Sequence, residues 1–151
     1  VMEYEFVPSE APTRHIVGVL YTGNGAEGEI GRLWGANDAL LKSVPNRKGF
    51  FGVSRMREGL PVGHFDYLAG VEVGPADEVP PGLTLWTVSG GPVYRAWATI
   101  DQLRGTIDAF YHRFLPASGA EADNRGLVEA YPDDFEMSMP VALEFPVMAS
   151  L

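Results

Sequence analysis

The residues of this chain best suited to chemistry are two glutamates that stand inside apolar runs. In GLVEAYPDDFEMSMPVALEFPV, Gly126 to Val147, two short strand-like segments flank an acidic turn, and each carries a carboxylate at its centre, Glu129 and Glu144. An isolated ionised carboxylate in an apolar setting is costly, so such a group is paired, hydrated or neutralised. One reason to keep it is a positive group that arrives to meet it. The pattern therefore points to a counter-charge for a cationic ligand, or to a general acid/base.

Side chains alternate along a strand. Leu127, Glu129 and Tyr131 then share one face, with Val128 and Ala130 on the other. Val141, Leu143, Phe145 and Val147 make a face suited to helix packing; Ala142, Glu144 and Pro146 take the reverse. Glu144 is thus expected on the same groove side as Glu129. Ring faces attract cations by roughly 0.5–2 kcal/mol, so aromatic walls suit a flat cationic guest. The candidate ligand-binding set is Glu129, Tyr131, Glu144, Tyr67, Trp97, Phe65, Tyr94 and Trp86. Phe65 and Tyr67 share a face of their strand, Trp97 and Tyr94 take opposite faces of theirs, and Trp86 lies near a joint. Trp34, Phe110, Tyr111 and Phe114 fall on helical stripes and are expected in the core.

Composition narrows the classes. The 151 residues suit one domain, or two fused halves sharing a core. Twenty acidic residues against 11 basic ones give a net charge of −9, which opposes nucleic-acid binding and favours cationic partners. No cysteine is present, and His15, His64 and His112 lack ligand spacing, so neither a metal site nor a cofactor is expected. GNGAEGEIG lacks the Lys-Ser/Thr ending of a phosphate loop, and Glu27 and Glu29 would repel a phosphate. No apolar run approaches the roughly 18 residues of a membrane span and no signal-like start is seen, so a cytoplasmic location is expected.

The elements that must position these groups come in two sets. EGEIGRLWGANDALLKSV and DQLRGTIDAFYHRFLP carry apolar residues at threes and fours, the second with Asp101 as an expected cap and Pro116 and Gly119 as its close. RHIVGVLYTG precedes the first helix, and GFFGVSRM and HFDYLAGVEV follow it. LTLWTVSGG and PVYRAWATI precede the second, and GLVEAYP and MPVALEFPV follow it. Each half reads strand, helix, strand, strand, with the joint at VGPADEVPPGL; the pseudo-repeats run over about 1–75 and 82–151 of a single domain. One helix per half covers one sheet face, which implies a cleft between the halves.

In order and spacing, FDYLAGVEV (Phe65 to Val73), VPPGL (Val79 to Leu83), SGGPVYRAWATI (Ser89 to Ile100), FLPASG (Phe114 to Gly119), EAY (Glu129 to Tyr131) and FPV (Phe145 to Val147) resemble one family. It is the GyrI-like effector-binding domains, named after a gyrase inhibitor, which also form the ligand-sensing part of many AraC-type and MerR-type transcription regulators. The resemblance implies an α+β fold: a duplicated strand-helix-strand-strand repeat with pseudo-twofold symmetry, an antiparallel sheet, helices on one face and a groove on the other. It further implies a groove for bulky, often cationic aromatic compounds, with the acidic position of a Glu-x-Tyr motif at Glu129 and Tyr131. Where relatives commonly have an aromatic residue in the last strand this chain has Glu144, so either the pocket holds two carboxylates or Glu144 has moved to the rim. With no room for a helix-turn-helix, direct promoter binding is not expected. The reading is a stand-alone domain that senses or sequesters amphipathic cationic compounds. Two alternatives are a hydrolase of strained electrophilic rings, with Glu129 as general base and Tyr131 as proton donor, and a protein that contacts gyrase or a separate DNA-binding regulator.

Overall fold

The β-branched run from Arg14 to Gly23 forms a ten-residue strand, and around it the chain builds one eight-stranded sheet. The structure is a computed structural model and describes residues 4–149. In chain order the elements are β1 (Val7–Ala11), β2 (Arg14–Gly23), α1 (Glu29–Lys42), β3 (Phe50–Arg55), β4 (Phe65–Val73), β5 (Thr84–Val88), β6 (Gly91–Ala98), α2 (Leu103–Ala109), α3 (Leu115–Ser118), β7 (Leu127–Tyr131) and β8 (Val141–Pro146). A π-helical turn, Phe110–Phe114, joins α2 to α3. Asp101 does not cap α2; it lies in a 3-10 turn, where its carboxylate accepts a hydrogen bond from the Thr99 hydroxyl. Pro116 sits in α3 directly after the π-helical turn, and Gly119 closes that helix in the left-handed region at φ 77°.

Strand order is β1-β6-β8-β7-β3-β4-β2-β5, every neighbouring pair antiparallel. Exchanging each strand for its counterpart in the other half reverses that order onto itself. This is a duplicated fold with a pseudo-twofold relation, and its two halves meet at the β3–β7 pair. The strand-helix-strand-strand units are β2-α1-β3-β4 and β6-α2-β7-β8. Each is preceded by a strand lent to the opposite half, for β1 pairs with β6 and β5 with β2. The second of these leading strands was legible as LTLWTVSGG; β1 was not.

Two short links fix the curvature. Residues 12–13 join β1 to β2 and residues 89–90 join β5 to β6, although each link connects strands near opposite edges. Six strand spacings in a flat sheet would span about 29 Å, whereas so short a link reaches about 10 Å. The sheet must coil until those strands approach. The Gly90 N–H donates to the Thr13 hydroxyl at 2.9 Å, so the two links lie side by side.

Residues directly opposite on neighbouring strands share a face, which sorts the packing. On the helix-bearing face, Val17, Val71 and Val73 pack with Leu41 and Val44 of the first helical segment. On the same face Leu143 and Phe145 pack with Phe110, whose ring stacks on Phe145 at 4.1 Å. The opposite, concave face holds a third core of Ile16, Phe51, Val53, Leu68, Val88 and Val128. Among the described residues no helix is long and apolar enough to cross a membrane.

Candidate functional site

Glu129 occupies the centre of β7, at the seam between the halves, opposite Gly52 on β3 and Leu143 on β8. Its residue is 7% exposed. Oε1 accepts two hydrogen bonds, from the Tyr131 hydroxyl at 2.6 Å and the Tyr67 hydroxyl at 3.0 Å. Tyr67 in turn accepts from the indole N–H of Trp34 on α1, at 3.0 Å. Trp34 and Tyr131 meet edge to face with centroids 5.4 Å apart, and Phe135, from the acidic turn, packs against Tyr131 at 5.0 Å. Gly52 makes room for this cluster: a methyl group there would overlap the Tyr67 hydroxyl.

Glu144 is the more deeply buried carboxylate, at 2% exposure. It does not share the face of Glu129. Its cross-strand partner is Val128, so it faces the concave side, whereas Glu129 faces the helices with Leu143. The expectation that both lie in one groove fails because alternation fixes faces within a strand only. Which face of β7 continues which face of β8 depends on register, which is not a local property. Arg14 approaches Glu144 with Nη1 2.6 Å from Oε1 and Nη2 3.2 Å from Oε2, and Arg95 adds a contact at 2.9 Å to Oε2. These two arginines hold its carboxyl below the usual carboxylate range despite burial.

Of the other expected residues, Phe65 shares the face of Tyr67 two positions before it on β4, with its ring 6.3 Å from Tyr21. Tyr94 is in the helix-side core, edge-on to Phe114 at 4.9 Å. Trp86 packs on the concave core beneath the Arg55 guanidinium, 4.4 Å from its ring centroid. Trp97 is 57% exposed and, opposite Ala142, takes the concave side. The structure thus gathers Glu129, Tyr131 and Tyr67, leaves Phe65 nearby, and disperses Glu144, Trp97, Tyr94 and Trp86.

No protein-family model matches the sequence, and a search of curated proteins finds no significant match. Solved structures do match. SAV2435 bound to tetraphenylphosphonium superposes with a TM-score of 0.74 at 16% identity, over 98% of this chain and 95% of that one. The EcmrR C-terminal domain gives 0.69 at 13% identity, over 99% and 100%. A hydrolase from Listeria innocua gives 0.56 at 13% identity, over 94% and 92%. The chain shares the fold of these proteins.

Within this fold the two buried glutamates also differ in their partners: none of the ion pairs among the described residues involves Glu129. Burial pushes its carboxyl above the usual range, and the phenolic hydrogen bonds only partly offset that. Burial, and then the charge of Glu129, push the Tyr67 and Tyr131 hydroxyls upward, so both remain protonated donors. Trp34 packs against the helix-side core, as its place on a helical stripe implies, and also donates to Tyr67. Its indole N–H was the legible signal, because a buried tryptophan N–H seeks a partner. Arg14 and Arg95 were missed as well, although an arginine within an apolar strand is the natural mate for a glutamate within another.

Proposed function

We infer that this chain is a small-molecule binding domain that senses or sequesters bulky, amphipathic cationic aromatic compounds at Glu129. The observation that carries this reading is the contrast between the two buried glutamates. Glu144 has its cations built in, two arginines from β2 and β6. Glu129 has two neutral phenols and, among the described residues, no cation. A buried carboxylate without a counter-charge is destabilising unless it is protonated, and a cation arriving from outside recovers that free energy.

The surroundings agree with such a guest. Trp34, Tyr131 and Phe135 supply ring faces and edges beside the carboxylate. Trp34 and Tyr131 are only half-buried, so a guest reaches Glu129 by moving an indole and a phenol rather than by opening the apolar core. The likeness in fold to SAV2435, solved with tetraphenylphosphonium, agrees with a ligand of this class.

The hydrolase alternative has a fold neighbour described as a hydrolase, but the geometry favours it less. Tyr131 has one proton, and it is donated to Glu129, so it is not free to polarise a leaving group. Tryptophan fluorescence titration with a planar cationic dye tests the binding reading, because Trp34 touches the cluster. Quenching that saturates in wild type and weakens at least tenfold in Glu129→Gln is expected. Identical titrations of the two proteins would remove Glu129 from the site.

A further inference from the structure

The two oxygens of the Glu129 carboxylate are not equivalent. Oε1 accepts from both Tyr67 and Tyr131, and Oε2 accepts from no group among the described residues. No fully buried side-chain nitrogen or oxygen among those residues lacks a partner. Oε2 is therefore the oxygen that keeps contact with solvent, at the edge of an otherwise closed cluster.

The group is also held in place. Turning the carboxylate to share its oxygens differently would break two hydrogen bonds, and the phenols that make them are themselves fixed. Tyr67 is 1% exposed and tied to Trp34, and Tyr131 is packed between Trp34 and Phe135. The unfilled acceptor capacity of Glu129 is thus concentrated on one atom with a set direction.

A cation without hydrogen, such as a quaternary ammonium, meets this oxygen by charge alone and leaves its lone pairs unsatisfied once water is expelled. A protonated amine brings charge and a donor together, and charge-assisted hydrogen bonds are roughly twice as strong as neutral ones. We propose that the site takes protonated amines carried on an aromatic body, their N–H donating to Oε2 of Glu129, in preference to quaternary cations of the same shape. This rests on the reading of Glu129 as the cation-accepting group and names the ligand class within it.

The test is a matched pair of probes on the full chain: dimethyl(1-naphthylmethyl)ammonium, which has one N–H, and trimethyl(1-naphthylmethyl)ammonium, which has none. Isothermal titration calorimetry at pH 7.5 gives both affinities. The N–H probe is expected to bind about tenfold tighter, equivalent to about 1.4 kcal/mol, and Glu129→Gln is expected to abolish the difference. Equal affinities, or tighter binding of the quaternary probe, overturn the preference but leave the cation site standing. A preference that survives in Glu129→Gln also overturns it, since size or hydration would then be the cause. Failure of both probes to bind wild type overturns the cation site as well.

Discussion

Glu129 and Glu144 stand on neighbouring strands, one register position apart, and point to opposite faces of the sheet. The offset puts one carboxylate among phenols under the helices and the other among arginines in the concave face. The same residue type, buried to a similar degree, is thereby given two roles. Glu144 fastens strands that the coiled sheet brings together, since β2 and β8 are not neighbours in strand order. Glu129 has no cation beside it among the described residues.

Glu144→Gln should cost about 3–5 kcal/mol of stability, because it leaves Arg14 and Arg95 without their counter-charge. Urea denaturation at pH 7 measures it. The folded-state pKa of Glu144 is depressed, so its stabilisation is present above the unfolded carboxylate value and is lost as pH falls through the folded one. Wild type should therefore lose stability on acidification more steeply than Glu144→Gln. Parallel acid curves would assign the ion pair no linkage.

Glu129 should behave in the opposite sense. Its folded pKa is raised, so the folded state holds the proton longer, and stability falls as pH rises through that value. Glu129→Gln, which cannot ionise, should be more stable than wild type by roughly 0.5–2 kcal/mol at pH 8, as is common where a functional group is held against stability. The gain should shrink towards pH 4. Denaturation series at several pH values check this, and a variant less stable than wild type at every pH contradicts it.

Much of the fold could be read locally. RHIVGVLYTG became a strand with the expected limits and HFDYLAGVEV one that starts a residue later, at Phe65, because β-branched and apolar residues cluster there between Gly, Pro and polar boundaries. β1 escaped because VPSEA contains a proline and two polar residues; Pro8 is tolerated on an edge strand, where its lack of an N–H leaves no central ladder broken. Glu129 and Tyr131 were legible as a pair through type and alternation; Tyr67 was one of several aromatic candidates, and the β3–β4 and β3–β7 registers are what bring it to them. The separation of Glu144 from them was not legible, since it follows from the β7–β8 register and the coiling imposed by residues 12–13 and 89–90.

Gly52→Ala should destabilise by about 1–3 kcal/mol through overpacking, because its methyl falls on the Tyr67 hydroxyl beside Glu129. It should also weaken dye binding by displacing the cluster. Thermal unfolding and dye titration together read both effects; an alanine that leaves each unchanged would show that β3 yields at the seam.

Gly31→Ala and Gly35→Ala should each stabilise by roughly 0.5–1 kcal/mol, since both glycines lie inside α1 and a methyl group meets nothing within 4 Å at either. Differential scanning calorimetry of the two variants measures the gain. No rise in Tm from either would mean that α1 is not helical over these turns in solution.

The central claim, that a cation-less buried carboxylate is what a cationic guest meets, is tested most directly by the pH dependence of affinity for a permanently charged dye. Such a dye does not titrate, so any pH dependence belongs to the protein. Wild-type affinity should fall by up to tenfold per pH unit as pH drops below the raised pKa of Glu129, level off above it, and be flat throughout in Glu129→Gln. A wild-type profile as flat as that of the variant, with the dye still bound, would contradict the claim.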